Sequence, residues 1–441
     1  LDNRKLFISK DGTYFNSGDP ANGTNPQIAW TTTPSEPIHL WGDAYQTATQ
    51  IIANWGQDST FSGNETAGGN ADGNGFGDFK YSPPTGFLAL CTGNLSVSDD
   101  IDPAQTDDDY PQKNFNTVLF DGNGSTNAVT GLGFQPDLIW GFTRDGSQSK
   151  RVIDSTRGGS ARIYSDLQSA ENTTSTISSF DSDGFTAAGS TFNNDSGKAC
   201  GAWCWRANGG TTSSDSSGDI TVTRQTNTAG GFSILTYTGN GSDNQTLAHG
   251  LGKTPAFVIT KKRDGTSHWA VWHQSHTGYY GQLEANIAFA SDTNQFYTAG
   301  MTSNFIGVRT AGATNSSGDN MFAYVWADVE GYSKFGKYEG NGNTDGPYVY
   351  TGFRPRMIFL KRTGSTGSWH VFDTARNVDN AVDTYQLWDT SGTDDTASSN
   401  SIDFLSNGFK IRNNAAGLNT SGADYVFGAW GDVPFKYNNT F

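Results

Sequence analysis

The chain is short of charge, and what charge it has is mostly of one sign. Charged residues make up 16% of its 441 residues, with 28 Lys and Arg against 44 Asp and Glu, a formal net charge of −16. Grip on a nucleic-acid backbone needs a basic face. No dense Lys/Arg cluster occurs, so no nucleic-acid partner is expected, and attraction to anionic membranes is disfavoured. No run reaches the roughly 18 apolar residues of a membrane span, so no membrane insertion is expected. Cysteine is scarce: Cys91, Cys200 and Cys204. An odd count in a long chain implies no disulfide framework. Cys200 and Cys204 stand four apart in an expected strand, about 13 Å along it, too far for a bridge. There is no Gly-x-Ser-x-Gly nucleophile elbow and no phosphate-cradling Gly-x-x-x-x-Gly-Lys loop.

What is present is glycine, at 55 residues, and aromatics, with 12 Trp, 17 Tyr and 28 Phe. A disordered chain would lack such aromatics, because it could not offset chain entropy by burial. Gly, Asn, Asp, Ser and Thr punctuate short apolar runs throughout, the composition of many short strands joined by tight turns. An all-β fold is expected.

A threefold internal repeat organises most of the sequence. Each copy opens with an aromatic residue, one variable residue and Gly-Asn-Gly. These triplets are Gly122-Asn123-Gly124, Gly239-Asn240-Gly241 and Gly340-Asn341-Gly342. Next comes a glycine and a proline before an apolar run, at Gly133–Pro136, Gly252–Pro255 and Gly352–Pro355. Each copy closes on an aromatic strand: Ala202-Trp-Cys-Trp205, Phe322-Ala-Tyr-Val-Trp326 and Tyr425-Val-Phe-Gly-Ala-Trp430. Copies of roughly 85–100 residues have the size of a β-sandwich. Asn-Gly supplies the positive φ of a turn, proline opens a strand without needing a ladder donor, and the closing alternation gives one face of large aromatics. An aromatic turn, Phe180-Asp-Ser-Asp-Gly-Phe185 in the first copy and Phe404-Leu-Ser-Asn-Gly-Phe409 in the third, is reduced in the middle copy to Met301-Thr-Ser-Asn-Phe305, which has lost the glycine.

The expected domains are a β domain over 1–95, an acidic linker over 96–114, repeat 1 over 115–206, a Gly/Ser/Thr-rich linker over 207–230, repeat 2 over 231–330 and repeat 3 over 331–441. Asp43–Ile52 is a weak helix candidate. Lys10-Asp-Gly12 and Gly18-Asp-Pro20 predict turns, and Phe79–Leu90 a closing strand and turn. The opening Leu1-Asp-Asn-Arg lacks an initiator methionine and suggests a fragment of a longer protein.

The motifs Lys10-Asp-Gly12, Gly18-Asp-Pro20, Asn54-Trp-Gly-Gln57 and Tyr81-Ser-Pro-Pro-Thr-Gly-Phe87 resemble the C-terminal half of a SPRY (concanavalin-like) domain of the kind found in bacteriophage virion proteins. The landmarks Gly122–Gly124, Gly133–Pro136, Asp183-Gly-Phe185 and Ala202–Trp205, with their counterparts, resemble a module of tail-fibre and appendage proteins of phages of marine bacteria, including cyanophages. The resemblance implies a partial SPRY sandwich followed by three tandem β-sandwich-like modules. It also implies a non-enzymatic structural or adhesive role, at the virion or outside the cell. The partners would be other virion proteins and a host cell-surface glycan or protein, with a homo-oligomer, a trimer by preference. The alternatives are a head fibre or capsid decoration, a polysaccharide-binding or depolymerising enzyme, and a bacterial surface adhesin.

No catalytic residue, cofactor or metal site is assigned. Trp269, Trp272 and Trp369 are candidate ligand-contacting aromatics, with His370 beside them; core packing is the alternative, because they recur at strand spacing. The loops from Gln274 to Gln282 and from Asn377 to Asn400 are candidate ligand loops. Histidines fall at 39, 249, 268, 273, 276 and 370. His268 and His273 lie on opposite strand faces, which favours exposed or edge positions over a shared metal. Asp154 with Arg157 and Asp373 with Arg376 read as salt bridges or turn caps. The acidic run Asp99–Asp109 offers oxygen ligands that suit Ca²⁺, but without loop spacing it reads as a solvated linker.

Overall fold

The closing strand of each repeat is buried on both of its faces. A computed structural model of the chain describes residues 5–30, 56–61, 63–91, 94 and 111–432. The chain divides into two units, residues 1–97 and 98–441. The architecture is all-β and antiparallel. Among the described residues the one α-helix is the four-residue Ala416–Asn419.

Each repeat of the second unit has a large sheet and a small sheet. In repeat 1 the large sheet runs in the order Asn172–Thr173, Ala161–Tyr164, Arg151–Asp154, Leu138–Thr143, Ala199–Trp205, Phe115–Asp121. Its small sheet is Ile177–Asp181, Gly184–Ala187, Asn127–Thr130. Repeat 3 has the same plan. The large sheet there runs Ser333–Glu339, Asp424–Gly431, Pro355–Arg362, His370–Asp373, Thr384–Leu387, Asp395–Thr396. The small one runs Tyr348–Tyr350, Gly408–Ile411, Ile402–Leu405. Repeat 2 departs where its sequence does. Without the turn glycine its small sheet shrinks to Gln245–Ala248 and Phe305–Val308, and a 3₁₀ turn, Thr298–Gly300, occupies the hairpin's place.

The stretch 207–230, expected as a linker, holds two strands. Ser213–Asp215 and Val222–Asn227 extend the large sheet of repeat 2 to eight strands, with Val222 opposite Tyr237 and Asn227 opposite Phe232. Its β-branched Val222, Thr223 and Thr226 take places in the ladder in spite of the surrounding Gly and Ser, and Ile220 bridges Leu247. The modules are also not strung out. One face of each large sheet packs on its own small sheet. The other packs against the large sheets of both sister repeats, in a single core that draws Phe115, Trp140 and Trp205 from repeat 1, Phe257 and Trp326 from repeat 2, and Phe359 and Trp430 from repeat 3. Register enforces the split. Trp203 and Trp205 face the shared core while Ala202 and Cys204 face the core of repeat 1; in repeat 2 the same division separates Tyr324 and Trp326 from Ala323 and Val325. At its centre Trp205, Trp326 and Trp430 meet pairwise at centroid distances of 5.8, 5.3 and 6.1 Å, each pair near-perpendicular. Edge-to-face contact of this kind is favoured by the ring quadrupoles. The three repeats close on one another with pseudo-threefold symmetry.

In the first unit Lys10-Asp-Gly12 makes the expected turn. Ser9–Lys10 pairs with Thr13–Tyr14, and Asp11 and Gly12 take φ of 50° and 80°. The closing strand expected over Phe79–Leu90 does not form; only Phe79 bridges, to Asn70. Pro83 and Pro84 supply no ladder donors there. The Asp43–Ile52 helix and the acidic run Asp99–Asp109, with its calcium alternative, lie outside the described residues.

Candidate functional site

A recurring cluster of buried polar side chains lies where one repeat meets the next. Repeat 1 meets repeat 2 through the expected salt bridge. Arg157 Nε lies 2.5 Å from Asp154 Oδ2, both side chains fully buried. Tyr324 of repeat 2 donates to Asp154 at 2.7 Å, and Arg157 lies 4.3 Å from the Phe322 ring. Repeat 3 meets repeat 1 in the same manner. Arg376 pairs with Asp373 at 2.7 Å, Trp203 Nε1 donates to Asp373 at 3.0 Å, and Arg376 lies over Phe142 and Trp203. Burial alone would raise the Asp373 carboxyl, but the Arg376 guanidinium holds it below the usual range.

The third junction, from repeat 2 to repeat 3, has His273 and His276 in the places of the Asp and Arg. His273 Nδ1 accepts from the Ser275 N–H at 3.1 Å, so its proton sits on Nε2, which donates to the Phe427 carbonyl at 3.0 Å. The donor that the other junctions place on the facing strand is missing because Gly428 stands there. A Cβ on Gly428 would come within 2.3 Å of Phe359 and 2.8 Å of Phe335, which fill the space. Burial pushes His273 down to about 4. Asp–Arg with a side-chain donor has thus been replaced by a neutral imidazole on a backbone carbonyl.

Three buried lysines complete the ring. Lys150 donates to the Thr390 carbonyl, Lys261 to that of Gln168 and Lys361 to that of Ile287, at 2.7, 3.2 and 2.8 Å. Each therefore ties its repeat to a neighbour, and burial lowers each to about 8.

The candidate aromatics are corrected by these contacts. Trp269 and Trp369 are fully buried in the shared core, where their indole N–H groups donate to the carbonyls of Tyr164 and Gln282 in the preceding repeat. Trp272, 3% exposed, packs inside repeat 2. None of the three presents a ring face to a ligand at the surface. The candidate ligand loops also serve the junctions. Gln274 donates to the Phe335 carbonyl, and within 377–400 Gln386 donates to the Thr143 carbonyl while Asp394 pairs with Arg144. The expectation of exposed histidines fails for His249 and His273, fully buried, and for His370, 8% exposed. A neutral ring satisfies its nitrogens on nearby backbone and tolerates burial. His268 is half-exposed beside Glu284 at 2.6 Å, and His276 stacks on Tyr279. His39 lies outside the described residues. Among the described residues no three His, Cys, Asp or Glu side chains converge as a metal set. Cys200 and Cys204 are buried free thiols, Cys200 pushed up to about 12 by burial.

The nine Gly-Asn-Gly residues form three copies of one clasp, joining a large-sheet strand to a small-sheet strand rather than closing a hairpin. Buried Asn194, Asn315 and Asn419 each accept from the main-chain N–H of the triplet asparagine, Asn123, Asn240 or Asn341, and donate a side-chain N–H to its Oδ1. Gly124, Gly241 and Gly342 take φ of 71°, 69° and 69°. Gly122, Gly239 and Gly340 admit no side chain: a Cβ would lie 2.2, 2.1 and 2.2 Å from a carbonyl oxygen across the clasp.

A family model described as a domain of unknown function, DUF7483, matches residues 110–434. The chain belongs to this family. The DUF7483 match takes in the three repeats together, the same span that shares one core. No curated protein matches.

Proposed function

We propose that this chain is a structural and adhesive component of a phage virion appendage, a tail fibre by preference, and that it works by geometry rather than by catalysis. The observation that supports this reading is the closed ring of repeats. Buried Asp154, Asp373 and His273 each bond across to the next repeat. Sheets buried on both faces make a rigid body from which loops project, and weak contacts on such a body add through multivalency. The resemblance of residues 1–90 and of the repeat landmarks to phage appendage modules points the same way. Trimerisation of the whole chain belongs to the same proposal.

Two measurements test it. Gold-labelled antibody against the chain should decorate fibres on purified virions, and light scattering should return three times the chain mass. Gold on cell surfaces alone would replace the virion reading with a cellular adhesin. A monomer would remove the trimer.

A further inference from the structure

Repeat 3 has a surface feature that its sisters lack. Tyr348–Tyr350 is the edge strand of its small sheet, with Val349 turned inward at 7% exposure and Tyr348 and Tyr350 turned outward at 45% and 65%. The corresponding strands read Asn-Ala-Val-Thr in repeat 1 and Gln-Thr-Leu-Ala in repeat 2, with no aromatic side chain. The fold is therefore complete without this pair.

Both rings have a defined setting. The Tyr348 hydroxyl donates to Asn407 Oδ1 at 2.7 Å, which draws the ring across the neighbouring strand toward Gly408; a Cβ there would touch it at 3.1 Å. Tyr350 stands beside Gly352, and its hydroxyl makes no hydrogen bond among the described residues. Residues two apart on a strand face the same way, roughly 6.6 Å apart, so the rings form a short shelf. Next to Tyr350 opens a cleft of about 320 Å³ lined by Asp328, Glu330, Gly331, Lys334 and Gly352. Asp328 is engaged by Lys334 and Gln274. Glu330 is exposed and forms no ion pair among the described residues.

Two aromatic faces followed by a free phenol and a free carboxylate suit one ligand chemistry. Tyrosine offers a rigid amphipathic surface at low entropic cost, on which the C–H face of a pyranose ring can lie. Glu330 and the Tyr350 hydroxyl would take the sugar hydroxyls. Free Glu330 in a chain of net charge −16 disfavours an acidic polymer. We propose that Tyr348, Tyr350 and Glu330 form a binding site for a neutral polysaccharide. This deepens the adhesive reading above and rests on it.

The test uses the full chain labelled with 3-fluorotyrosine, titrated with gluco-, manno- and galacto-hexaose and followed by fluorine NMR. Tyr348→Phe and Tyr350→Phe identify the two signals. Both should move saturably with at least one hexaose. Tyr350→Ala should weaken binding about tenfold, and Glu330→Gln about threefold, with the circular dichroism unchanged. Signals that stay still with all three hexaoses, or a Tyr350→Ala variant of unaltered affinity, would overturn the site. So would a Tyr350→Ala variant that only dissociates an oligomer, since the shelf would then be a contact between copies. Host-cell adhesion that survives Tyr350→Ala sinks the shelf and leaves the adhesive reading standing; a wild-type chain that neither adheres nor decorates virions sinks that reading itself.

Discussion

Single residues define the clasps and clamps. In the clasp of repeat 2, Asn315 accepts from Asn240 N–H and donates to Asn240 Oδ1 and the Ser242 carbonyl. Asn315→Ala removes three hydrogen bonds that this buried amide makes across the clasp, each worth about 0.5–1.5 kcal/mol, so the urea midpoint should fall by the equivalent of about 2–3 kcal/mol. Gly239→Ala should be at least as damaging, because the added methyl meets the Ser316 carbonyl, whereas Gly278→Ala, with open space around it, should cost only its positive-φ strain of about 1 kcal/mol. Asp373→Ala leaves the buried Arg376 without its main partner. Breaking a buried pair typically costs about 3–5 kcal/mol, which equilibrium unfolding should register. The role of the Gly-Asn-Gly triplets as turns is legible in their letters. The partner asparagines are not, because nothing local to Asn315 marks it as the mate of Asn240, 75 residues away.

At the scale of elements, the three junctions are variants of one design, and they differ in pH response. His249, His273 and His370 are each lowered to about 4, first by burial. Above pH 6.5 these groups are neutral folded or unfolded and contribute no pH dependence. As pH falls from 6.5 toward 4 the unfolded chain takes up protons that the folded chain refuses, and stability is lost, on the order of 3 kcal/mol per histidine. Around His273 the facing charges are Asp328, which favours protonation, and His276, which opposes it. Buried Asp137 and half-buried Asp166, both raised mainly by desolvation, work the other way and offset part of the loss. Denaturant midpoints measured between pH 7 and pH 4 should decline, and His273→Gln, which keeps a donor for the Phe427 carbonyl, should flatten the decline by about one proton. An unchanged slope in that variant would locate the acid sensitivity elsewhere. The buried lysines act in a separate window: stability should rise between pH 8 and 10.5, where the folded side chains have given up protons that the unfolded ones still hold. These strands also show a compensated exchange. Lys261 pairs across the ladder with Trp269, and Lys361 lies 5.5 Å over the Trp369 ring. Repeat 1 reverses the order, with Phe142 on the first strand and Lys150 directly before the second. The lysine stays at the junction although its strand changes.

At the scale of the whole molecule, a shared core makes the three repeats one cooperative unit. Calorimetry should show a single transition for residues 111–432 where independent modules would give three. Trp326→Ala empties part of the tryptophan trio; aromatic-to-alanine changes in a core cost about 3–5 kcal/mol. Its effect should appear at once in probes placed in repeats 1 and 3. Loss of repeat 2 alone, with the others melting at the wild-type temperature, would contradict the shared core.

By itself the sequence determined the strand-rich class, the three copies, their opening turns and the aromatic alternation of their closing strands, because period-two patterning and turn chemistry are local properties. It also marked repeat 2 as irregular through a missing glycine. Only the tertiary structure decided that both faces of the closing strands are buried, that the Gly/Ser/Thr-rich stretch is sheet, and that Trp269 and Trp369 belong to a core while Tyr348 and Tyr350 do not. Those outcomes depend on contacts such as Tyr324 with Asp154, 170 residues apart. An alternating strand reads the same whether its second face meets water or another repeat, and only closure of the ring settles which.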